Sequence, residues 1–387
     1  RPALIEAVLS TAGAPPDVPP ATLGDPAVTE YHQWVGATQW WLDRMATSPA
    51  PLVEKMTLFW HGHFVSAQSK IYDMVAMYGQ NALYRTHALG DFHTLTSAMA
   101  LQPAMLHYLD NTRNKVGYPN QNFARELMEL FTIGVGNYTE GDVDASSAAW
   151  TGHGVDPSTN QYLFRSSWHD GSAKTFMGIT RNWDGPEIID HLLTDPTTRA
   201  LAARFVANKL WLFLAGPFPS PGTLTTLADA FAARLDITDL LRAIFSHPDF
   251  WSPEVRQGLV RSPVEFAVGV MRATGLSAAE TNPQWWLGPM GQAPFDPPNV
   301  SGWRINGAWI STSAASARAD FARHVTWRAR EKGVLDATLA ASPADAVQMA
   351  FDLFGIDRPS SRTRSRLESW VVEQRAERGL AERDAGA

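Results

Sequence analysis

Three groups of side chains in this chain have the types and spacing to do chemistry: His61-Gly62-His63, Glu126 with Glu129, and His169-Asp170. Imidazole and carboxylate are the ligands that zinc and iron accept when no thiolate is on offer. The same groups act as general acid and base without any metal. The 387 residues contain no cysteine, which excludes disulfides, thiolate metal sites and cysteine nucleophiles. His61, His63 and Glu126 are the candidate metal ligands. Glu126, Glu129, His169 and Asp170 are the candidate catalytic groups, with His169 as a proton shuttle. Arg85 and Arg125 are candidates for orienting carboxylates or binding substrate anions, because a guanidinium matches a carboxylate in two-point geometry. Trp168 and Trp303 are candidate walls of a substrate cleft.

The element that must position most of this chemistry runs from Pro119 to Asp144. Asn120–Asn122 supply a polar entry to a helix and Gly134 supplies its stop. At 100° per residue, Phe123, Leu127, Leu130 and Phe131 share one face, with Met128 and Ile133 on its flanks. Glu126 then projects between Leu130 and Ile133, so it is expected to be buried and to need a cation, a metal, several donors or its own proton. Arg85 is the expected cation. Around Gly62 the spacing of Leu52, Met56, Phe59, Trp60 and His63 is helical. An unbroken helix sends His61 and His63 to opposite sides, whereas a break at Gly62 lets them converge on one ion. Thr139–Asp142 reads as a capping box that starts the next helix.

The 119–144 stretch closely resembles the signature of a bacterial family known only as a domain of unknown function, numbered eighteen hundred. Typical members read Pro-Asn-Glu-Asn-(Phe/Tyr)-Ala-Arg-Glu-Leu-(Met/Leu)-Glu-Leu-Phe-Thr-Leu-Gly-Val-Gly-Asn-Tyr-Thr-Glu. Here Gln121 replaces the usual glutamate of the third position. The resemblance extends over most of the chain, through Trp60-His61-Gly62-His63-Phe64, His169-Asp170-Gly171 with Lys174-Thr175-Phe176, Ser262-Pro263-Val264-Glu265-Phe266 and Pro297-Pro298-Asn299-Val300-Ser301-Gly302-Trp303. It carries no activity with it. Because family members commonly bear an export signal, it implies an exported protein, periplasmic or extracellular.

Composition is that of an ordinary globular chain, 45% apolar and 18% charged. A net charge of -7, with no basic run interleaved with aromatics, argues against nucleic-acid partners. No apolar run is long enough to span a bilayer. The fold class expected is mainly α: a single large helical domain with a small β-hairpin and a long irregular strap rich in Trp, Pro and Gly. In order, these are an N-terminal strap (1–30), motif-bearing helices (31–151), a loop and hairpin insertion (152–185) and C-terminal helices (186–380), with 31–380 forming the domain. In the hairpin, Tyr162–Phe164 is expected to pair with the segment from Lys174 to Ile179. The strap covers 282–312.

Four functions fit these residues. The first is an exported hydrolase assisted by a divalent metal, zinc or iron, acting on an envelope or extracellular glycan-type substrate. The second is a metal-free glycosidase in which a protonated Glu126 works beside an ionised carboxylate, with the fifteen tryptophans supplying sugar platforms. An iron-dependent oxidase is the third. The fourth is a non-catalytic envelope-binding or scaffold domain whose buried polar groups fix the fold. The oligomeric state is not legible.

Overall fold

The structure, a computed structural model, describes residues 2–256 and 258–385, the side chains of 378–385 excepted. Among them, 63% are helical, in 20 α-helices, and β-structure is limited to two small two-stranded antiparallel sheets. The fold is therefore mainly α, as the periodicity requires. No described helix is long and apolar enough to cross a membrane.

The Pro51–His63 helix is the axis on which the apolar packing is organised. Pro51 opens it at the first turn, where a missing N–H costs nothing. One of its sides, with Phe59 and Trp60, enters the larger core, among Phe64, Phe92 and Phe131. Leu58 joins a second core built on Trp41, Phe295 and Phe321. Gly62 does not break the helix. The position that must be glycine is Gly302 of the strap, at φ +78°, where a Cβ would sit 2.3 Å from the Gly62 carbonyl oxygen. The strap is partly ordered, with a helix at Gln284–Met290 and a single-turn 3₁₀ helix at Asn306–Trp309.

The central stretch departs from a regular helix. Asn122–Glu126 is α-helical, but Leu127–Thr132 is a π-helix ended by Gly134 at φ +82°. The wider turn shifts every residue after Leu127 off the 100° projection. Phe123, Leu127, Met128 and Phe131 are still fully buried, whereas Glu126 and Glu129 emerge at the rim, half-buried. The last carbonyls of this segment are met by basic side chains: His63 Nε2–H donates to Phe131 O at 2.9 Å and Lys209 Nζ to Leu130 O at 3.2 Å.

The insertion holds two hairpins instead of one. β1 (His153–Val155) pairs with β2 (Tyr162–Phe164), and β3 (Lys174–Phe176) with β4 (Ile179–Arg181). Met177 and Gly178, both at positive φ, make the second turn, so Asp170-Gly171 lies between the hairpins and not at a hairpin tip.

Candidate metal centre

The two hairpins bring together a group that the motifs did not single out. His153, His169 and Asp184 each offer one ligand atom, and these atoms all lie within 4.8 Å of one another. Among the described residues this is the group of three or more such side chains with spacing fit for a metal ion.

Each member is fixed by the elements around it. The Glu140–Ala149 helix, opened by the Thr139–Asp142 capping box, ends at Trp150. The chain then turns through Gly152 at φ +83°, where a Cβ would stand 2.6 Å from the Arg165 carbonyl. That turn starts β1 at His153. The ring of Trp150 packs on Phe123 at 4.7 Å and on His153 at 4.9 Å, so the central helix supports the site through one indole. Asn111 secures the same strand by donating to the carbonyls of Trp150 and His153.

His153 is 2% exposed. Its Nε2 meets Asp184 Oδ1 at 2.7 Å and its Nδ1 meets the Tyr162 hydroxyl at 2.9 Å. His169 is placed by Thr151: Nδ1–H donates to the Thr151 carbonyl at 3.0 Å, while the Thr151 hydroxyl accepts from the Asp170 amide. A backbone carbonyl on Nδ1 leaves Nε2 as the lone-pair nitrogen, the arrangement that metal-binding histidines use. Asp184 caps the Gly185–Thr194 helix. Burial raises its carboxyl, but the hydrogen bond and charge of His153, the Gly185 amide and the charge of His169 outweigh that and hold it below its ordinary value. Lys174, almost fully buried, fastens the loop by donating to the carbonyls of Asp170, Ser172 and Trp183 and to Asn182 Oδ1.

Around this centre, Trp168 and Phe164 are partly exposed, and Tyr118 is 75% exposed. Lys115 and Arg165 both lie over the Trp168 ring, at 5.7 and 5.2 Å from its centroid. The two cations and the indole next to His169 thus form one cation–π group.

The other expected site residues lie elsewhere and do not meet as anticipated. His61 and His63 face opposite sides of an unbroken helix. His61 is wedged among Trp41, Phe295 and Trp303, its Nε2 accepts from the Phe295 amide at 3.1 Å, and burial pulls its imidazole down to about 3. Burial and the charge of Lys209 keep His63 neutral too. Neither ring joins Glu126, so the set His61, His63 and Glu126 is not assembled. Glu126 makes no hydrogen bond or ion pair among the described residues; burial and Glu129 raise its carboxyl, against the pull of Arg125. Arg85 does not reach it. Instead Arg85 donates to Glu54, Asp17 and Asn81 in a buried network that also holds Arg44 and Trp41. Arg125 pairs with Glu140 on the surface and Glu129 accepts from the Tyr138 hydroxyl. Trp303 is the strap residue packed edge-on against His61 and close to Gly62.

Of the expected catalytic residues, His169 is in the cluster and Asp170 is next to it. His153 and Asp184 were missed because each has a structural explanation in sequence, a strand residue after a glycine and the Asp of an Asp-x-x-Glu capping box.

These features define a helical protein with a hairpin-borne imidazole–carboxylate centre. The chain belongs to the family described as protein of unknown function DUF1800, whose model matches residues 19–384. No curated protein and no solved structure matches the chain.

Proposed function

We propose that the protein is a hydrolase assisted by a divalent metal, with His153, His169 and Asp184 as its ligands. The observation that carries this reading is the convergence of three ligand atoms within 4.8 Å, with His169 aimed by the Thr151 carbonyl. Two imidazoles and one carboxylate are a set that zinc accepts in catalytic sites, and that iron accepts as well. The separation of 2.7 Å between His153 Nε2 and Asp184 Oδ1 is that of a hydrogen bond. A tetrahedral ion at about 2.1 Å from each atom requires about 3.4 Å, so loading replaces one proton and opens this pair by about 0.7 Å. An ion there supplies Lewis acidity and an activated water. Tyr162 holds the His153 ring in place, and the half-exposed Asp184 edge leaves room for substrate.

The substrate class proposed is an extracellular or envelope glycan, and the protein is taken to be exported. Lys115 and Arg165 over Trp168 favour a chain bearing carboxylate or phosphate groups over a neutral one. The test is hydrolysis of a panel of acidic and neutral glycans by zinc-loaded protein, with and without chelator. Chelator-sensitive release from acidic glycans is expected. Turnover that survives chelation would instead favour the metal-free reading, for which the raised, unpartnered Glu126 beside Glu129 is the specific support.

A further inference from the structure

A cavity of about 240 Å³ lies between the Pro51–His63 helix, the Pro196–Ala215 helix and the 301–309 part of the strap. None of the hairpin cluster lines it. Its walls are apolar and aromatic, chiefly Leu58, Phe59, Leu212, Phe213, Trp303 and Trp309. The charges in that lining are one-sided. Lys209 donates to the Leu130 carbonyl and sits 5.2 Å from the Phe205 ring centroid, but among the described residues no carboxylate pairs with it. Arg304, exposed at the rim, makes no ion pair either. Glu265 is the one acid in the lining, and Lys55 neutralises it. His63 contributes a neutral ring whose buried Nδ1 has no hydrogen-bond partner.

An ammonium in an apolar cavity without a counter-ion is costly unless something anionic joins it. The Leu130 carbonyl uses one of its three protons and leaves two. Burial alone brings Lys209 down to about 8, with no carboxylate opposing the fall. A dry cavity of about 150 Å³ already accommodates benzene, so this one has space for a ring with a short acidic arm. In a chain of net charge -7, two cations left unpaired in one lining are a specific feature.

We propose that this cavity binds a small aromatic carboxylate, with the ring between the Phe59, Phe213 and Trp303 side chains and the carboxylate on Lys209, screened from outside by Arg304. The titratable groups that face Lys209 across the cavity are His63 and Glu265, the first neutral and the second already paired. The carboxylate preference therefore follows the Lys209 proton.

Calorimetry with phenylacetate and its uncharged counterpart 2-phenylethanol tests this on the full chain. At pH 7 phenylacetate should bind at least about tenfold more tightly, the worth of one charge-assisted hydrogen bond. The preference should vanish in Lys209→Met, weaken in Arg304→Glu, and decline in the wild type as pH rises past about 8. Equal affinity for the two compounds, no binding of phenylacetate, or indifference to both substitutions would overturn the proposal. Should Lys209→Met fail to fold, Arg304→Glu at the exposed rim and the wild-type pH series decide the matter. A negative result leaves the hairpin metal centre untouched, because the two sites share no residue.

Discussion

Glu54→Gln is expected to destabilise the protein severely without touching its chemistry. Glu54 is 2% exposed and accepts from Arg44 Nε at 2.5 Å, Arg85 Nε at 2.9 Å and Trp41 Nε1 at 3.0 Å. Both guanidiniums are themselves buried, and their remaining partners are Asp17, Asn81 and the carbonyls of Pro15 and Pro16. Removing the shared carboxylate charge leaves two buried cations with one partly exposed aspartate between them. Breaking a buried pair in this way costs about 3–5 kcal/mol. If the chain unfolds as one unit, an unfolding entropy of about 2.1 cal/mol/K per residue over 387 residues converts that to a Tm lowered by about 4–6 °C. Urea unfolding should show a lower midpoint with an unchanged slope. The coupling between Glu54→Gln and Arg85→Met should be large, because the second substitution removes a charge that the first has stranded. A loss below about 1 kcal/mol would refute the network account, and would reopen Arg85 as a residue available to substrate.

Other outcomes follow from the same geometry. The raised carboxyl of Glu126 means that its charged form is disfavoured in the folded state, a penalty present above its folded pKa and gone below the ordinary carboxyl range. Glu126→Gln should therefore raise stability at pH 7, and the gain should close as pH falls towards 4 in denaturant titrations across that interval. Gly302→Ala places a methyl 2.3 Å from the Gly62 carbonyl at a left-handed backbone position. It should cost about 1–3 kcal/mol and loosen Trp303, seen as increased indole quenching. Thr151→Val removes the hydroxyl that accepts from the Asp170 amide but keeps the carbonyl on His169. Metal affinity should then fall modestly, by less than the loss from replacing His169 itself, as direct titration would show.

Much of the architecture is legible in the pattern of apolar residues and caps. Pro51, the Thr139–Asp142 box and Gly134 mark real boundaries, because each reflects a local backbone requirement. The π-helix at Leu127–Thr132 is not legible, because no residue type in the segment demands it; in the fold its Phe131 and Leu130 carbonyls accept from His63 and Lys209. Glu126 ends the α-helical part just before the π-helix and lies half-buried at the rim, not in the expected core. The hairpin pairing is not legible because Tyr162–Phe164 suits either partner; in the fold it pairs with His153–Val155, next to the close approach of Gly152 to the Arg165 carbonyl. His169 could be recognised because turn chemistry does not explain it. His153 and Asp184 could not, since their proximity is a tertiary fact created by Trp150, Asn111 and the Lys174 cage.

The most direct measurement is zinc binding by calorimetry to the full chain and to its His169→Ala and Asp184→Asn variants, with elemental analysis of the dialysed protein. Asparagine remains a good helix cap and His169 is only partly buried, so both variants should stay folded, as their circular dichroism would verify. The account predicts one ion per wild-type chain and its loss from both variants. A wild-type chain that binds no ion, or variants that bind as tightly as the parent, would contradict it.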